Sequence, residues 1–245
     1  MNKIFILDLY KNALLTKLSN KVPSIFLKEI EKNDYLQDIH HIIANNKIHY
    51  ICEGNSSCFL LKHKNTIFIC PNSKINLQIN DKLIFINESV KVHKGLFTEY
   101  EKIKTGIIKH INKLSENNDI VHIYISGHSI GAGLASLIAY DIIQKFKYYY
   151  NISCFLYDSP KVGNSEFYKQ LKIGVNCIYD MILKNEKQFD KILIEEDNIS
   201  YIAGTKYFNH LKFFKNMFYN FEFNPNDIDM FISRLKNILQ LSNKV

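Results

Sequence analysis

The sequence predicts an α/β fold in one domain, with a mostly parallel central sheet flanked by helices. Its 245 residues, of which 47% are hydrophobic, are enough to bury a substantial core without disulfides or metals. From residue 97 onward, helix-like and strand-like patterns alternate along the chain. The strands in that part are apolar throughout, which is typical of strands buried on both faces of a parallel sheet.

The elements follow one another in a simple order. Residues 1–45 are predicted as a helical N-terminal segment, with helical spacing of apolar residues from residue 8 and a break near Pro23. Four short strand patterns come next, at residues 48–52, 58–61, 66–70 and 83–87. The alternating part has helices at residues 97–114, 130–148 and 166–171 and strands at residues 120–125, 154–157 and 175–179. No Pro/Gly/Ser-rich linker interrupts the chain, so we expect residues 1–245 to form a single domain.

The composition argues against several functional classes. The formal charge is +7, but Arg234 is the single arginine and the lysines are spread along the chain, so no nucleic-acid-binding surface is expected. The five cysteines form no CxxC pair, which argues against a zinc site or a disulfide framework and favours a reducing compartment. No apolar run is long enough for a signal peptide or a membrane-spanning helix, so we expect a cytoplasmic protein. The abundance of Lys, Asn and Ile is typical of an AT-rich genome, such as that of a parasite or a large virus.

The most informative segment is a strand that leads directly into a glycine-rich turn and then a helix. It contains Gly127-His-Ser-Ile-Gly131, a G-x-S-x-G pattern between an apolar strand and a helix rich in Ala and Leu. A serine in such a turn is exposed as a nucleophile, and glycine on both sides removes side chains that would collide with the neighbouring helix or strand. The helix aims its first amides at the reacting centre, so the Ile130 amide is a candidate oxyanion donor. Ser129 is the candidate nucleophile.

A serine nucleophile needs a base, and the base needs a carboxylate that orients it. In folds with this turn, the carboxylate and then the histidine follow the serine along the chain. Every histidine except His210 precedes Ser129, so His210 is the predicted base. Asp158 and Asp180 each end a predicted strand at the edge of the sheet where such sites lie, and strand position alone does not choose between them.

Four motifs occur in order along the chain. They are Val92-His-Lys-Gly-Leu96, Gly127-His-Ser-Ile-Gly-Ala-Gly-Leu-Ala135, Asp158-Ser-Pro-Lys-Val-Gly-Asn-Ser-Glu-Phe167 and Asn176-Cys-Ile-Tyr-Asp-Met-Ile182. Together they resemble the class 3 (fungal-type) lipases of the α/β-hydrolase fold. The last motif is similar to the strand that bears the family's catalytic acid, so the resemblance implies Asp180 rather than Asp158.

The strand end that helps form the family's oxyanion hole departs from the family pattern. The family has F-R-G-T there, whereas this chain has Cys70-Pro-Asn-Ser73. Ser73 matches the Thr/Ser position, so the resemblance implies that it supplies a backbone amide and a hydroxyl, although the Arg and Gly are replaced. Residues 74–82 correspond to the family's lid, and their alternating pattern is strand-like.

The resemblance implies a serine ester hydrolase that cleaves acyl esters of lipids, with acylglycerols as the expected substrates and with no cofactor or metal. One alternative is a phospholipase A1-type hydrolase. Another is a catalytically degenerate lipid- or protein-binding module on the same fold, which the altered oxyanion strand favours. The expected partners are a lipid ester substrate and, peripherally, a membrane or lipid surface.

Overall fold

A computed structural model describes residues 3–75, 82–116, 122–146, 149–181 and 228–241. With strands numbered along the chain, its central sheet has the spatial order β1 (Ile48–Glu53), β2 (Ser56–His63), β3 (Thr66–Ser73), β6 (His122–His128), β7 (Asn151–Tyr157) and β8 (Cys177–Met181). The first three strands pair antiparallel, whereas β3, β6, β7 and β8 run parallel. A separate hairpin joins β4 (Leu83–Phe85) to β5 (Lys91–His93).

Helices cover both faces of the sheet. One face carries α1 (Lys3–Leu18), α2 (Phe26–Glu31) and α3 (His40–Ala44), together with α7 (Ile228–Leu241) from the end of the chain. The other face carries α4 (Lys94–Leu114), α5 (Ile130–Phe146) and α6 (Ser165–Gly174). Among the helices of the described ranges, none combines the length and the apolar character needed to cross a membrane.

Alternate residues of the strands feed two separate cores. Leu60 and Ile125 pack against the side of α4 and α5, while Phe59 and Phe68 pack against the side of α1 to α3. The buried Tyr157 hydroxyl donates to the carbonyl of Leu9 at 2.6 Å and so ties α1 to β7. Burial on both faces explains why these strands read as continuous apolar runs.

The predicted fold class is confirmed, and the differences concern the ends of elements. The break near Pro23 is a short 3₁₀ turn. The helix predicted from residue 97 begins three residues earlier because the His93 ring caps its first turn, where Nδ1 accepts from the Leu96 amide at 3.4 Å. The strand predicted from residue 58 begins at Ser56, because the backbone of this polar start still pairs with the end of β3.

Candidate active site

Ser129 stands alone between the end of β6 and the start of α5. Its φ is 52°, in the left-handed region that residues other than glycine rarely adopt. Its amide donates to the Tyr157 carbonyl at 2.8 Å, and its carbonyl accepts from the Ala132 amide at 2.9 Å. The first hydrogen bond ties the turn to the sheet and the second ties it to α5. The strained conformation of Ser129 is therefore held from both sides.

The two glycines of the turn lie where a side chain would collide with the backbone of another segment. A Cβ on Gly127 would lie 2.2 Å from the Gly131 carbonyl oxygen. A Cβ on Gly131 would lie 2.6 Å from the carbonyl oxygen of Pro71 in β3. The expected collisions with the neighbouring helix and strand are thus both present, and neither can be relieved by rotating a side chain.

The end of β3 turns its peptide groups toward this helix. The Lys74 amide donates to the Asn55 carbonyl at 3.1 Å, which makes Ser56 and Ser73 a non-hydrogen-bonded pair of the antiparallel ladder. The amide and carbonyl of Ser73 therefore point away from β2, toward the side of β3 where β6 and the turn lie. Pro71 has the same orientation two residues earlier, in agreement with its carbonyl facing α5.

The Ile130 amide opens α5. As the first residue of the helix, it has no intrahelical acceptor. No backbone acceptor for it is found among the described residues either. The amides of Ile130 and Ser73 are thus the two candidate N–H donors around Ser129.

The side chains behind Ser73 form a buried polar network. Ser73 Oγ lies 3.0 Å from Ser56 Oγ, and Ser56 Oγ lies 2.7 Å from Oε2 of Glu99 in α4. Lys102 Nζ, one helical turn further on, lies 2.5 Å from Glu99 Oε1. Ser56, Ser73 and Glu99 are 0%, 8% and 6% exposed. We call Ser73, Ser56 and Glu99, together with the partly exposed Lys102 at the outer end, the buried relay.

Two members of the relay, Ser56 and Glu99, were not predicted from the sequence, although Ser56 contacts Ser73 directly and Glu99 reaches it through the Ser56 hydroxyl. Glu99 lies on the buried face of α4, in line with Leu96 and Ile103. An acidic residue at a position where helical spacing calls for an apolar one was the available signal, because glutamate is rarely buried without a partner. Ser56 gave no signal, since a serine beside Gly54 and Asn55 looks like part of a turn.

Asp180 lies inside the sheet. It belongs to β8 and is 7% exposed. In the register of the sheet, Asp180 pairs with Leu156 of β7, and Leu156 pairs with Gly127 of β6. Two strand spacings therefore separate Asp180 from the strand that delivers Ser129.

Asp158 directly follows β7, the strand next to the one that delivers Ser129. Like Ser129, it has a left-handed backbone, with φ 53°. Strands β6 and β7 stay paired up to His128 and Tyr157, so the two left-handed residues follow the last pair side by side. One strand spacing separates them.

The remaining predicted site features cannot be placed in the same way. His210 and residues 76–81 of the predicted lid lie outside the described residues. In the ranges that are described, no group of three or more His, Cys, Asp or Glu side chains is arranged to hold a metal ion. The thiol of Cys70 lies 3.3 Å from Ser126 Oγ, but burial raises its pKa to about 12, so it stays protonated and is not a competing nucleophile.

Residues 65–191, more than half of the chain, match the family described as Lipase (class 3). The chain belongs to the class 3 lipases. The part of this class 3 lipase that matches includes Ser73, Ser129, Asp158 and Asp180. The resemblance drawn from the four motifs is therefore confirmed.

Two curated relatives and one solved structure define the likeness further. The chain is 24% identical over 136 residues to phospholipase A1-Igamma1, chloroplastic, of Arabidopsis thaliana, which covers 50% of this chain and 26% of that protein. It is 30% identical over 77 residues to secreted mono- and diacylglycerol lipase A of Penicillium cyclopium, covering 31% of this chain and 25% of that protein. Each match thus spans only about a quarter of the relative's length. The lipase of Rhizopus microsporus var. chinensis shares the fold, with a TM-score of 0.61 at 14% identity over 74% of this chain and 66% of that chain.

Replacing Gly131 by alanine tests the contact between β3 and α5. The new methyl group would lie 2.6 Å from the Pro71 carbonyl oxygen, so the end of β3 must move. We expect the free energy of unfolding to fall by about 1–3 kcal/mol in urea titrations. The matched control is Gly106→Ala in α4, where the three atoms nearest to the new methyl group belong to the Ile51 side chain, at 3.0–3.2 Å. We expect this variant to be close to neutral, because a side chain can yield where backbone cannot. Equal stability of the two variants would contradict the contact.

Proposed function

We propose that this class 3 lipase is a serine ester hydrolase that cleaves acyl esters of lipids. The observation that carries the proposal is the left-handed conformation of Ser129 in a turn between a buried strand and a helix. Glycine occupies the two positions of this turn where a side chain would collide with backbone. Ser129 is the nucleophile, His210 the base and Asp180 the orienting carboxylate. The amides of Ile130 and Ser73 form the oxyanion hole.

The reaction runs through an acyl-enzyme. Ser129 Oγ attacks the acyl carbonyl carbon while His210 takes the hydroxyl proton. The negative charge that develops on the carbonyl oxygen is stabilised by the two amides. His210 then passes its proton to the departing alcohol, and water, activated by the same histidine, releases the fatty acid. Asp180 fixes the tautomer of the imidazole and stabilises the imidazolium.

The register of the sheet supports Asp180 as the acid. An imidazole with a hydrogen bond of about 2.8 Å at each nitrogen holds a serine oxygen and a carboxylate roughly 7 Å apart. Neighbouring strands are about 4.8 Å apart, so two spacings leave room for the ring between Ser129 and Asp180. Asp158, one spacing away, leaves too little room for the ring.

Acylglycerols are the proposed substrates, and a phospholipase A1-type reaction is the alternative. The curated relatives include proteins named for each activity. The chemistry at Ser129 is the same in both reactions, because each breaks a carboxylic ester of glycerol. What differs is whether a phosphate-bearing headgroup is tolerated beside the scissile ester.

A fluorophosphonate probe tests the catalytic machinery without requiring the natural substrate. The parent protein should form a single adduct on Ser129, detectable by mass spectrometry, because only an activated serine attacks the probe quickly. Ser129→Ala should form none, and His210→Ala and Asp180→Asn should slow labelling by at least about a hundredfold. The matched control, Asp158→Asn, should label at the parent rate. A folded parent that forms no adduct would support the binding-module alternative, and slow labelling of Asp158→Asn alone would exchange the two acids.

Fatty-acid release distinguishes the two substrate classes. We expect the parent to release fatty acid from a dispersed diacylglycerol at least about ten times faster than from phosphatidylcholine in the same detergent, with Ser129→Ala as the blank. The physical reason is that the single arginine, Arg234, lies outside residues 65–191, which match the family and include Ser129, so that part has no arginine to pair with a phosphate. Faster release of the sn-1 acyl chain from phosphatidylcholine would establish the phospholipase A1 alternative instead.

The β4–β5 hairpin supports a peripheral contact with a lipid surface. Leu83 and Phe85 project from one face of β4 and are 47% and 62% exposed. Lys91, opposite Phe85 in the ladder, places its Nζ 4.3 Å from the centre of the Phe85 ring. The His93 amide donates to the Val162 carbonyl at 2.7 Å, in the segment that follows β7, so the hairpin stands at the same edge of the sheet as Ser129. Exposed apolar side chains beside lysine suit an anionic lipid interface.

Vesicle cosedimentation tests this contact. The double variant Leu83→Ser/Phe85→Ser should bind phosphatidylglycerol-containing vesicles at least about fivefold more weakly than the parent, because two apolar anchors are lost. Its hydrolysis of a water-soluble short-chain ester should be unchanged. The control is Ile173→Ser, which removes a 66% exposed apolar side chain at the far end of α6 and should bind vesicles like the parent. Equal losses in the two variants would contradict the proposed contact.

A further inference from the structure

We propose that Glu99 is a positioning residue, which acts through Ser56 to hold Ser73 and the end of β3 in the geometry that the oxyanion requires. The inference rests on the proposed function, because it concerns the Ser73 amide as an oxyanion donor. It is carried by the buried relay, in which a carboxylate of α4 reaches the end of β3 through one hydroxyl. No member of the relay other than Ser73 would contact the substrate.

The direction of the hydrogen bonds follows from the chemistry of the groups. Glu99, whose Oε1 lies 2.5 Å from Lys102 Nζ, is paired as a carboxylate and can only accept. The Ser56 hydroxyl donates toward Glu99 Oε2 at 2.7 Å and toward Ser73 Oγ at 3.0 Å, so its one proton is shared between the two acceptors. Ser56 thus joins the carboxylate of α4 to the side chain of Ser73.

This direction decides what Ser73 can offer to an oxyanion. The Ser73 hydroxyl accepts from Ser56 and keeps its own proton, as the donor role implied by the family resemblance requires. The Ser73 amide, which points toward the side of Ser129, remains available. The relay thus holds the Ser73 side chain, and with it the end of β3, in one position.

The end of β3 needs such an anchor because the sheet no longer holds it on both sides. Pairing of β3 with β6 ends at Ile69 and Ile125, four residues before Ser73. Beyond that point, β3 is held by β2, by the contact of the Cys70 thiol with Ser126 in β6, by the close approach of Pro71 to α5, and by the relay. A strand end held on one edge can shift by a few tenths of an ångström, and oxyanion donors lose much of their value when misplaced.

Lys102 offsets the charge that the relay brings toward the site. An unpaired carboxylate close to Ser73 would oppose the build-up of negative charge on the substrate oxygen. Lys102 contacts the far oxygen of Glu99 and leaves the other oxygen to Ser56. The carboxylate is thereby neutralised on one side and used as a hydrogen-bond acceptor on the other.

The test compares Glu99→Gln and Ser56→Ala with a matched variant of the same helix. Glu101→Gln also removes a charge from α4 and also breaks an i,i+3 pair, with Lys104 at 2.9 Å, but its side chain is exposed and faces away from β3. For each protein, kcat and KM are measured on a water-soluble short-chain ester, and kcat is divided by the fraction of Ser129 that a fluorophosphonate labels at completion. Thermal unfolding is recorded in parallel.

We expect Glu99→Gln and Ser56→Ala each to lower kcat per labelled site about tenfold, with KM changed less than twofold, since a displaced donor affects the transition state more than substrate binding. The double variant should be no worse than the poorer single variant, because both changes break one chain. Glu101→Gln should match the parent.

Two outcomes overturn the inference, and they are distinguishable. If the relay variants unfold at lower temperature but keep the parent kcat per labelled site, Glu99 contributes only to stability, and the proposed function stands. If the folded parent neither hydrolyses the ester nor labels at Ser129, the proposed function fails, and the positioning role fails with it. Ser56→Ala removes a single oxygen atom, so it keeps the test informative should Glu99→Gln fold poorly.

Discussion

The site depends on one steric constraint, the meeting of three backbone segments where β6 turns into α5. The strand must become a helix within a single residue, which forces Ser129 into a left-handed conformation. The helix can then lie against β3 only if the facing position has no side chain, and Gly131 meets that requirement. Because Pro71 and Ser73 share one orientation in the ladder, the contact that brings the Pro71 carbonyl against α5 also turns the Ser73 amide toward the side of Ser129. The proposed nucleophile and a proposed oxyanion donor are therefore positioned by the same packing.

The strained conformation of Ser129 is maintained by the buried elements that surround the turn. A left-handed residue other than glycine typically costs about 1–3 kcal/mol and persists only where its surroundings determine it. Here α5 is buried along nearly all of its first three turns, from Gly131 to Tyr140, against the sheet. On the other face, the hydrogen bond from Tyr157 to Leu9 fixes the strand whose carbonyl accepts from the Ser129 amide. The N-terminal helix, which contributes no candidate catalytic group, thus stabilises the turn through β7.

The sequence predicted the parts of the site that follow from local rules and missed those that follow from packing between distant elements. The turn around Ser129 could be predicted because its glycines and the strand and helix beside it lie within a few residues of each other. The antiparallel start of the sheet could not, since an apolar run such as that of β2 has the same pattern in either kind of sheet. Ser56 and Glu99 could not be joined to Ser73 because 43 residues separate the first two, and only the register of β2 on β3 and the rotation of α4 bring them together.

The register of β2 on β3 explains why the end of β3 can contain Pro71. Pro71 lacks an N–H, and a proline inside a sheet usually removes a ladder bond. Its partner Cys58 lies two residues from the non-hydrogen-bonded pair of Ser56 and Ser73, so the missing N–H would have pointed away from β2, toward the side that β6 no longer pairs. The proline therefore loses no bond, and it fixes its own φ at the place where β3 approaches α5. The family pattern has Arg and Gly at this strand end. In this chain, Pro71 restricts the backbone there, and the buried carboxylate of Glu99 holds the Ser73 side chain through Ser56. The strand end is thus held by residues different from those of the family pattern, and the Ser73 amide still points toward the side of Ser129.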